Sequence, residues 1–498
     1  VYQLAHLYHL FSEAIDMQKM VRVVFCDISK AFDRVWHNGL IAKLAKIGIT
    51  GNLLKWFENY LSNRQQRVVI NGQESEWGQI KAGVPQGSVL GPLLFLVYIN
   101  DLTNEVQSSE VRMFSDDTIL YVIVHNPADS LDSLNEDLQR VSQWASDWIV
   151  KFSPPKTKSM TITKRKLNDP IPPIKFDGVD IDELQSHKHL GLTISNDLSW
   201  REHIENMVTS AGKTLDVLNA LKFKLDRKTL EKLYFAFIRP KLEYGSIVWD
   251  NCTKELKDLV EQVQYRAGKI VSGAIARTSH DLVNQETGWM SITDRRKNQR
   301  LKVFYKMTVG ETPTYLSEAI PVAEPGHYNL RNEDKIPPIR GRTVFYENTF
   351  LPKSIREWNA LPKDIRNLDS PESFSKHLEE NLVSKSPSWY YTGDRRTSVI
   401  HARMRMLCSP LNDHLYSHIH VVDSPACACG HPRENNKHFF LQCPLFDNER
   451  QILMDGLNHI DFLVNLKNLL FGSENYSEEV NGIAFELIQV FIKNTGRF

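Results

Sequence analysis

Two groups of side chains in this sequence have types and spacings that could do chemistry, and the first consists of three aspartates. Asp116 and Asp117 stand side by side in "MFSDDTILY", and Asp27 follows the apolar run "VRVVFC". Carboxylates that converge with no Lys or Arg among them are costly unless divalent cations neutralise them. Two Mg²⁺ ions roughly 3.5–4 Å apart can clamp the attacking and leaving oxygens of a phosphoryl transfer. Taken alone, an Asp-Asp pair is more often an ordinary turn, so other motifs have to support the metal site.

The second group is a cluster of Cys and His residues near the C-terminus. The stretch "CACGHPRENNKHFFLQC" spaces Cys427, Cys429, His438 and Cys443 as C-x-C-x8-H-x4-C. Three thiolates and one imidazole suit a closed tetrahedral site, so the spacing predicts a structural Zn²⁺ ion. His431 is a competing ligand, and free thiols in a reducing compartment are the alternative.

The three acids need strands that bring them together. The run "VRVVFC" predicts a buried strand that delivers Asp27 at its end, and "VRMF" and "TILYVIV" predict a hairpin with the acidic pair at its tip. If these strands are neighbours in one sheet, the carboxylates converge. Two further hairpins are predicted to turn at Asn71-Gly72 and at Asp177-Gly178.

The helical patterns lie between and after these strands. A helix is predicted over "TGNLLKWFENYLS", with Thr50 as N-cap and Leu53, Leu54, Phe57 and Leu61 on one face. Strands and helices alternate without βαβ regularity, which favours an α+β fold with a mostly antiparallel sheet backed by helices. From about 200 to 310 the pattern is helical, and 311–395, richer in Pro and turn residues, predicts a loosely organised linker region.

Composition limits the class of protein. The chain of 498 residues has room for two to four domains, and no apolar run approaches the 18 residues of a membrane-spanning helix, so no membrane span is expected. Six cysteines in a chain of this size do not suggest a disulfide framework. Residues 201–310 hold 20 Lys and Arg against 13 Asp and Glu, which suits a polyanion-binding surface or a solvated helical face equally well. The start at Val1 suggests a fragment of a longer protein.

Several ordered motifs resemble a known family. "FCDISKAFDRVWH", "AGVPQGSVLGPLLF" and "MFSDDTILY" together resemble the palm of reverse transcriptases, most closely those of non-LTR (LINE-like, jockey-type) retrotransposons. "FSPPKTKSM" and "HKHLGLTIS" look like the motifs that follow, and "LYFAFIRPKLEYGSIVW" is similar to the thumb part. The resemblance implies a right-hand polymerase palm over 1–198, a helical thumb and post-thumb region over 199–310, the linker region over 311–395 and a zinc-knuckle-like module over 396–498.

The resemblance also implies roles for residues around the acids. Asp27 and Asp116 would be the Mg²⁺ ligands, Asp117 would lie close to the primer end, and the backbone carbonyl of Ile28 is a candidate further ligand. Phe32 matches the steric-gate position, where a bulky ring leaves no room for a 2′-OH and so selects dNTPs over NTPs. A plain core aromatic is the alternative for Phe32.

The resemblance also implies that other residues would hold the substrates. Gln86 and Gly87 of "GVPQGS" would line the nascent base pair, and Lys156 would lie near the triphosphate, with Lys158 as its rival. Leu190-Gly191 resembles the primer grip. The basic residues expected on phosphates are Lys222, Lys224, Arg227, Lys228, Arg239 and Lys241. One departure is Ser115, where the family usually has Ala.

The implied activity is RNA-directed DNA synthesis, with two Mg²⁺ ions, an RNA template, a DNA primer or target site, and dNTPs. The implied place is the nucleus and cytoplasm, in the ribonucleoprotein of the element. Only about 20 residues precede the first acidic strand, so we expect the fingers to be absent and an endonuclease to lie upstream. The alternatives are a truncated, inactive relic that at most binds nucleic acid, and an intron-encoded maturase or telomerase-like enzyme, which the Cys/His module disfavours.

Overall fold

The computed structural model describes residues 1–167, 169–322, 335–380 and 385–498. This part of the chain forms two compact units. The first unit comprises Val1–His203 and Ile339–Lys353, and the second comprises Ile204–Pro338 and Ser354–Phe498.

All the strands in the described residues belong to the first unit. They are β1 (Met20–Cys26), β2 (Gln65–Gln66), β3 (Val69–Ile70), β4 (Gln73–Glu74), β5 (Gly78–Gln79), β6 (Glu110–Phe114), β7 (Asp117–Val124), β8 (Lys158–Ile162), β9 (Lys175–Phe176), β10 (Val179–Asp180), β11 (Asp182–Glu183), β12 (Ser186–His189) and β13 (Leu192–Ser195). The central sheet has the order β11-β8-β1-β7-β6, and every pair in it is antiparallel except β11 with β8. This confirms the predicted α+β class with a mostly antiparallel sheet.

In the first unit helices pack around this sheet, and the described part of the second unit is helical. In the N-terminal half they are α1 (Tyr2–Asp16), α2 (His37–Lys46), α3 (Gly51–Leu61), α4 (Leu90–Ile99), α5 (Leu131–Asp147), α6 (Arg201–Leu221), α7 (Arg227–Leu233), α8 (Arg239–Glu243) and α9 (Ser246–Trp249). Those that follow are α10 (Lys254–Ser272), α11 (His280–Thr287), α12 (Ile292–Thr308), α13 (Thr314–Ser317), α14 (Val344–Glu347), α15 (Phe350–Asn359), α16 (Lys363–Arg366), α17 (Pro371–Glu380), α18 (Arg395–Arg405), α19 (Asn412–His414), α20 (Asn436–Leu441), α21 (Asp447–His459), α22 (Leu466–Phe471) and α23 (Glu478–Asn494).

Seven short helical turns complete the secondary structure of the described residues. The 3-10 turns are Phe32–Arg34, Asn100–Asn104, Pro127–Ser130, Ser388–Tyr391 and Pro444–Phe446, and the π-helical turns are Tyr234–Ile238 and Leu415–Ile419. Within the described residues, none of the helices is both long and apolar enough to span a membrane.

Strand β1 is buried along its whole length because helices cover both faces of the sheet. Val24 points into a core formed with α4 and α5, which also contains Leu120 of the neighbouring strand. The opposite face is covered by α1, whose Phe11 meets Tyr121 edge to face with the ring centroids 5.3 Å apart. Burial on both faces explains why β1 is apolar at every position except Arg22, whose buried guanidinium donates to the carbonyl of Pro172 at 3.2 Å.

The segment predicted as a loosely organised linker region, 311–395, differs from that prediction. Residues 323–334 and 381–384 lie outside the described residues, but the rest contains α13 to α17. Several of its prolines mark helix starts: Pro313 and Pro362 are N-caps, and Pro371 begins α17. Trp358 and Phe374 are buried and their ring centroids lie 5.7 Å apart. Composition alone does not separate prolines at helix starts from prolines in loose loops.

Candidate active site

The strand that ends at Asp27 and the strand that begins at Asp117 are direct neighbours. Strands β1 and β7 pair antiparallel with Cys26 opposite Thr118, so Asp27 follows its strand at the point opposite Asp117. Residues directly opposite in such a pair have Cα atoms roughly 4.5–5.5 Å apart. The two acidic strands are therefore neighbours, which is what the predicted convergence of the carboxylates requires.

The third acid lies in the turn of the adjoining hairpin. Strand β6 pairs with β7 with Phe114 opposite Asp117, which leaves Ser115 and Asp116 as the two-residue loop. Ser115 has φ +58°, a left-handed conformation that a small residue tolerates at moderate cost. The turn therefore presents Asp116 at the sheet end where Asp27 and Asp117 lie, as the predicted hairpin required.

The charges of the three acids act on one another. Burial raises the pKa of Asp117 above its usual range, and the negative charges of Asp116 and Asp27 raise it further. Among the residues that the structure describes, the one group of three or more side chains already converged enough to hold a metal ion lies in the second unit, so the three acids do not form a closed metal site by themselves.

Asp27 is held by its backbone, while one of its carboxylate oxygens makes no hydrogen bond. Its N–H points to Thr157 Oγ1 at 3.4 Å, and its carbonyl accepts a hydrogen bond from Ser153 N at 2.8 Å. Its Oδ2 is enclosed and makes no hydrogen bond to the described residues. The ammonium of Lys156 lies 3.8 Å from that oxygen on a side chain that is 70% exposed.

These residues fit a divalent cation. An enclosed carboxylate oxygen of Asp27 without a hydrogen bond lies next to the carboxylates of Asp116 and Asp117, and the pKa of Asp117 is raised by burial and then by the other two charges. Carboxylate oxygens of this kind are the donors that a hard cation such as Mg²⁺ prefers. The ammonium of Lys156 approaches a single acid from an exposed position, so it does not replace such an ion between the strands. Ile28, the other predicted ligand, is fixed next to Asp27 by a β-bridge to Phe152.

A second cluster joins the predicted steric gate to the "GVPQGS" loop. The carbonyl of Phe32 accepts a hydrogen bond from Val84 N at 2.8 Å, and Gln86 Nε2 donates to Asp33 Oδ1 at 2.9 Å. A Cβ on Gly83 would lie 2.9 Å from the Phe32 carbonyl oxygen, so only glycine permits this approach. The structure thus brings Phe32 and Gln86 together, 54 positions apart in the chain.

The ring of Phe32 is half-buried. It stacks on Phe95 of α4 with the centroids 4.8 Å apart, which holds one face of the ring against the core. Gly87 lies just beyond Gln86 with φ +78° and open space around it. Sequence reasoning did not single out Asp33 or Phe95, although both fall inside motifs that it quoted.

The two rival lysines have different partners. Lys158 donates to Asp182 Oδ2 at 2.6 Å and to the carbonyl of Pro155 at 2.8 Å. Lys156 is the one that lies beside Asp27. Of the two, Lys156 is therefore the one placed to meet a substrate at the acidic site.

The predicted primer-grip pair forms the turn of the hairpin between β12 and β13. Leu190 and Gly191 have φ +45° and +84°, and positive φ at both positions is the geometry of a tight two-residue hairpin turn. His187 of β12 stacks on Phe25 of β1, with the centroids 4.1 Å apart. This contact docks the hairpin on the strand that carries Asp27.

One of the basic residues expected on phosphates is misplaced, because Arg227 is buried. Its guanidinium donates to Glu286 Oε1 at 2.6 Å, and both side chains are at most 4% exposed. Arg239 lies over the ring of Phe235 at 4.2 Å, and Lys241 donates to Thr214 Oγ1 at 3.0 Å. Arg227 is therefore a structural residue, and its prediction as a phosphate contact is wrong.

The Cys/His cluster comes together as its spacing indicates. The ligand atoms of Cys427, Cys429, His438 and Cys443 all lie within 4.8 Å of one another. The sulfurs of Cys427 and Cys443 are 3.6 Å apart, close to the roughly 3.8 Å expected for two thiolates bound to one tetrahedral Zn²⁺ at about 2.3 Å. The competing ligand His431 is exposed, and its Nδ1 lies 2.8 Å from the carbonyl of Arg433. These residues fit a zinc ion.

Parts of the chain are similar to known proteins. Residues 5–194 match the family described as reverse transcriptase (RNA-dependent DNA polymerase). Over this part of the chain, the sequence is similar to RNA-directed DNA polymerases of mobile elements. A probable RNA-directed DNA polymerase from transposon BS of Drosophila melanogaster is 29% identical over 273 residues, which are 52% of this chain and 30% of the relative.

Two further proteins are similar to parts of the chain. The RNA-directed DNA polymerase from mobile element jockey of the same organism is 29% identical over 283 residues, covering 55% of this chain and 30% of the relative. Among solved structures, apo telomerase from Candida tropicalis matches with a TM-score of 0.34 and 12% identity, covering 64% of this chain and 51% of that chain. The chain spans about a third of the length of these curated relatives.

Proposed function

We propose that the chain is the RNA-directed DNA polymerase part of a non-LTR retrotransposon. In this reaction the 3′-OH of a DNA primer attacks the α-phosphate of a dNTP paired with an RNA template, and pyrophosphate leaves. The observation that carries the proposal is the placement of Asp27 opposite Asp117, with Asp116 in the adjoining turn. The family match over residues 5–194 supports it.

Each residue of the site has a proposed task. Asp27 and Asp116 would hold two Mg²⁺ ions, which when bound neutralise charge on the reacting phosphate. Phe32, backed by Phe95, would present its ring edge where a 2′-OH of the nucleotide would lie. Lys156 would offset charge on the leaving phosphates. Gln86, held by Asp33, would contact the nascent base pair.

The parts beyond the sheet have proposed roles as well. Residues 1–198 would be the palm, with Leu190-Gly191 as the primer grip, and the helices over 199–310 would be the thumb. The cluster of Cys427, Cys429, His438 and Cys443 would hold one structural Zn²⁺ in a C-terminal module of 396–498. The template RNA, the primer or target DNA and dNTPs would be the partners, and the place of action would be the nucleus and cytoplasm, in the ribonucleoprotein of the element.

The test is incorporation of dNTPs on a primed RNA template by the purified chain with Mg²⁺. Asp116→Ala should lower the rate by about a thousandfold or more, because loss of a metal ligand removes several kcal/mol of transition-state stabilisation. Asp180→Ala is the matched control, since Asp180 is exposed in a different hairpin of the same unit. Equal activity of Asp116→Ala and wild type would refute the metal site. Salt-sensitive RNA binding by a wild-type chain that incorporates nothing would favour the relic.

A further inference from the structure

A cleft in the second unit is lined by five cationic side chains. We call it the basic cleft. It lies between the C-terminal ends of α6 and α10 and the helix α18, and its charged lining residues are Lys222, Arg266, Lys269, Arg395 and Arg403. None of the described residues that line it is Asp or Glu. Only Lys222 belongs to the set that the sequence predicts on phosphates.

Two of these cations are fixed in place by neutral groups. Arg395 donates from Nε to the carbonyl of Lys222 at 2.9 Å, and from its two Nη atoms to the carbonyls of Val271 and Ile270 at 2.7 and 2.6 Å. Arg403 donates from Nε to the carbonyl of Gly273 at 2.8 Å. These backbone carbonyls accept the hydrogen bonds but carry no negative charge, and Asp226 is the acid whose charge acts on Arg395.

The remaining charge in the basic cleft is poorly compensated. Arg266 Nη2 lies 3.4 Å from Asp216 Oδ1, and both side chains are more than half exposed, so this ion pair is weak. Burial, and then the charge of Arg266, lower the pKa of Lys269, and burial lowers the pKa of Arg395 to about 10. Cations that crowd together and lose proton affinity leave a positive potential that a multivalent anion would relieve.

An exposed aromatic ring stands at the rim of the same cleft. Phe223 lines it and is 54% exposed, and the ammonium of Lys222 lies 5.4 Å from its centroid. A positively charged groove beside an exposed ring is the combination that binds single-stranded nucleic acid, because the groove follows the phosphates and a base stacks on the ring. A free phosphate ion would use the cations alone.

We propose that the basic cleft binds the phosphodiester backbone of a single-stranded nucleic acid, with one base stacked on Phe223. The proposal rests on the proposed polymerase function for the source of that strand. It adds a contact site outside the acidic centre, and it assigns Arg266, Lys269, Arg395 and Arg403 to it.

The test measures binding of a fluorescent single-stranded oligonucleotide to the full chain over a range of salt concentrations. Lys269→Gln and Arg266→Gln should each reduce the salt-dependence slope by about 0.7, which corresponds to about fourfold weaker binding at 0.15 M salt. Lys254→Gln is the matched control, because Lys254 is an exposed lysine at the other end of α10. Equal binding by Lys269→Gln and Lys254→Gln would overturn the proposal.

Two further arms identify the ligand. Phe223→Ala should weaken oligonucleotide binding about tenfold without changing the salt slope, because it removes stacking and no charge. If orthophosphate at the same phosphate concentration displaces the oligonucleotide and Phe223→Ala binds like wild type, the cleft is a small-anion site and the proposal fails. Failure of the polymerase proposal is distinguishable, because it concerns incorporation by Asp116→Ala, whereas these arms concern binding alone.

Discussion

At the scale of single residues, the acidic site is defined by what its side chains lack. Asp27 Oδ2 is enclosed without a hydrogen bond, and Lys156 approaches it only to 3.8 Å from an exposed position. A side chain placed in this way can turn to a bound phosphate at the loss of only this long contact with Asp27. Lys158, two residues later, is instead held by Asp182.

Lys156→Gln should therefore lower kcat/KM for dNTPs by about tenfold. A cation about 4 Å from a phosphate oxygen is worth up to ~4 kcal/mol at an effective dielectric of 20, and exposure to solvent reduces this to about 1–2 kcal/mol. Single-nucleotide incorporation kinetics measure the effect. Lys158→Gln is the control and should change kcat/KM less than twofold; equal losses in both variants would contradict the assignment of Lys156.

The sequence identifies the acids because each lies within a short local motif. It does not identify contacts between residues that are far apart in the chain. The ion pair that removes Arg227 from the surface joins residues 59 positions apart, and no periodic pattern marks it. Similarly, Leu53 has the spacing of the buried face of α3, yet it is 54% exposed, whereas Phe57 and Leu61 are buried. Helical spacing indicates a face but not how much of that face the neighbours cover.

At the scale of elements, the short hairpins were predictable and helix packing was not. Positive φ at Asn71-Gly72 and Asp177-Gly178 gives both hairpins the turns that their sequences favour. In the second unit, by contrast, Glu286 joins three helices: it lies on α11 and accepts hydrogen bonds from Arg227 of α7 and Arg405 of α18. Burial alone would raise the pKa of Glu286, but the two guanidinium groups outweigh it and hold the pKa below its usual range.

Glu286→Gln should destabilise the second unit by about 3–5 kcal/mol. The substitution leaves two buried guanidinium groups without a counter-charge, and breaking a buried ion pair on one side costs about this much. Urea unfolding followed by circular dichroism measures the free energy of unfolding. Asp216→Asn is the control, because it breaks the exposed pair with Arg266 and should cost less than about 1 kcal/mol. A loss of less than 1 kcal/mol in Glu286→Gln would show that the pair is not needed.

The Cys/His cluster leads us to expect that the protein binds zinc. The full chain should purify with one Zn²⁺ per molecule, and Cys443→Ser should lose it, because Cys443 is a fully buried member of the cluster. Mass spectrometry of the native protein counts the metal, and thermal unfolding should shift to lower temperature after chelation. Cys408→Ser is the control, since Cys408 is also buried but lies outside the cluster. Full zinc content in Cys443→Ser would contradict the ligand set.

At the scale of the whole molecule, both units bury histidines in neutral form. In the first unit, burial is the main cause that lowers the pKa of His9, His189 and His203, each to about 4. In the second unit, burial lowers the pKa of His401 well below its usual value. His401 Nε2 lies 2.8 Å from the carbonyl of Leu469, so the neutral ring donates one hydrogen bond inside the core. Composition counts 17 histidines but does not indicate which of them are buried.

The stability of both units should consequently fall in mild acid. In the unfolded chain these histidines take up a proton near pH 6.5, whereas in the folded chain His9, His189 and His203 resist it until about pH 4. Their contribution is therefore complete above pH 6.5 and is lost progressively as the pH falls from 6.5 towards 4, and His401, whose pKa is also lowered, acts in the same direction. For His189 the loss at pH 5 is about 2 kcal/mol. His189→Gln should flatten the dependence of the unfolding free energy on pH between 7 and 5 by that amount, while the exposed His459→Gln should leave it unchanged. Parallel curves for His189→Gln and wild type in urea titrations at pH 7, 6 and 5 would mean that His189 is protonated as readily in the folded chain as in the unfolded one.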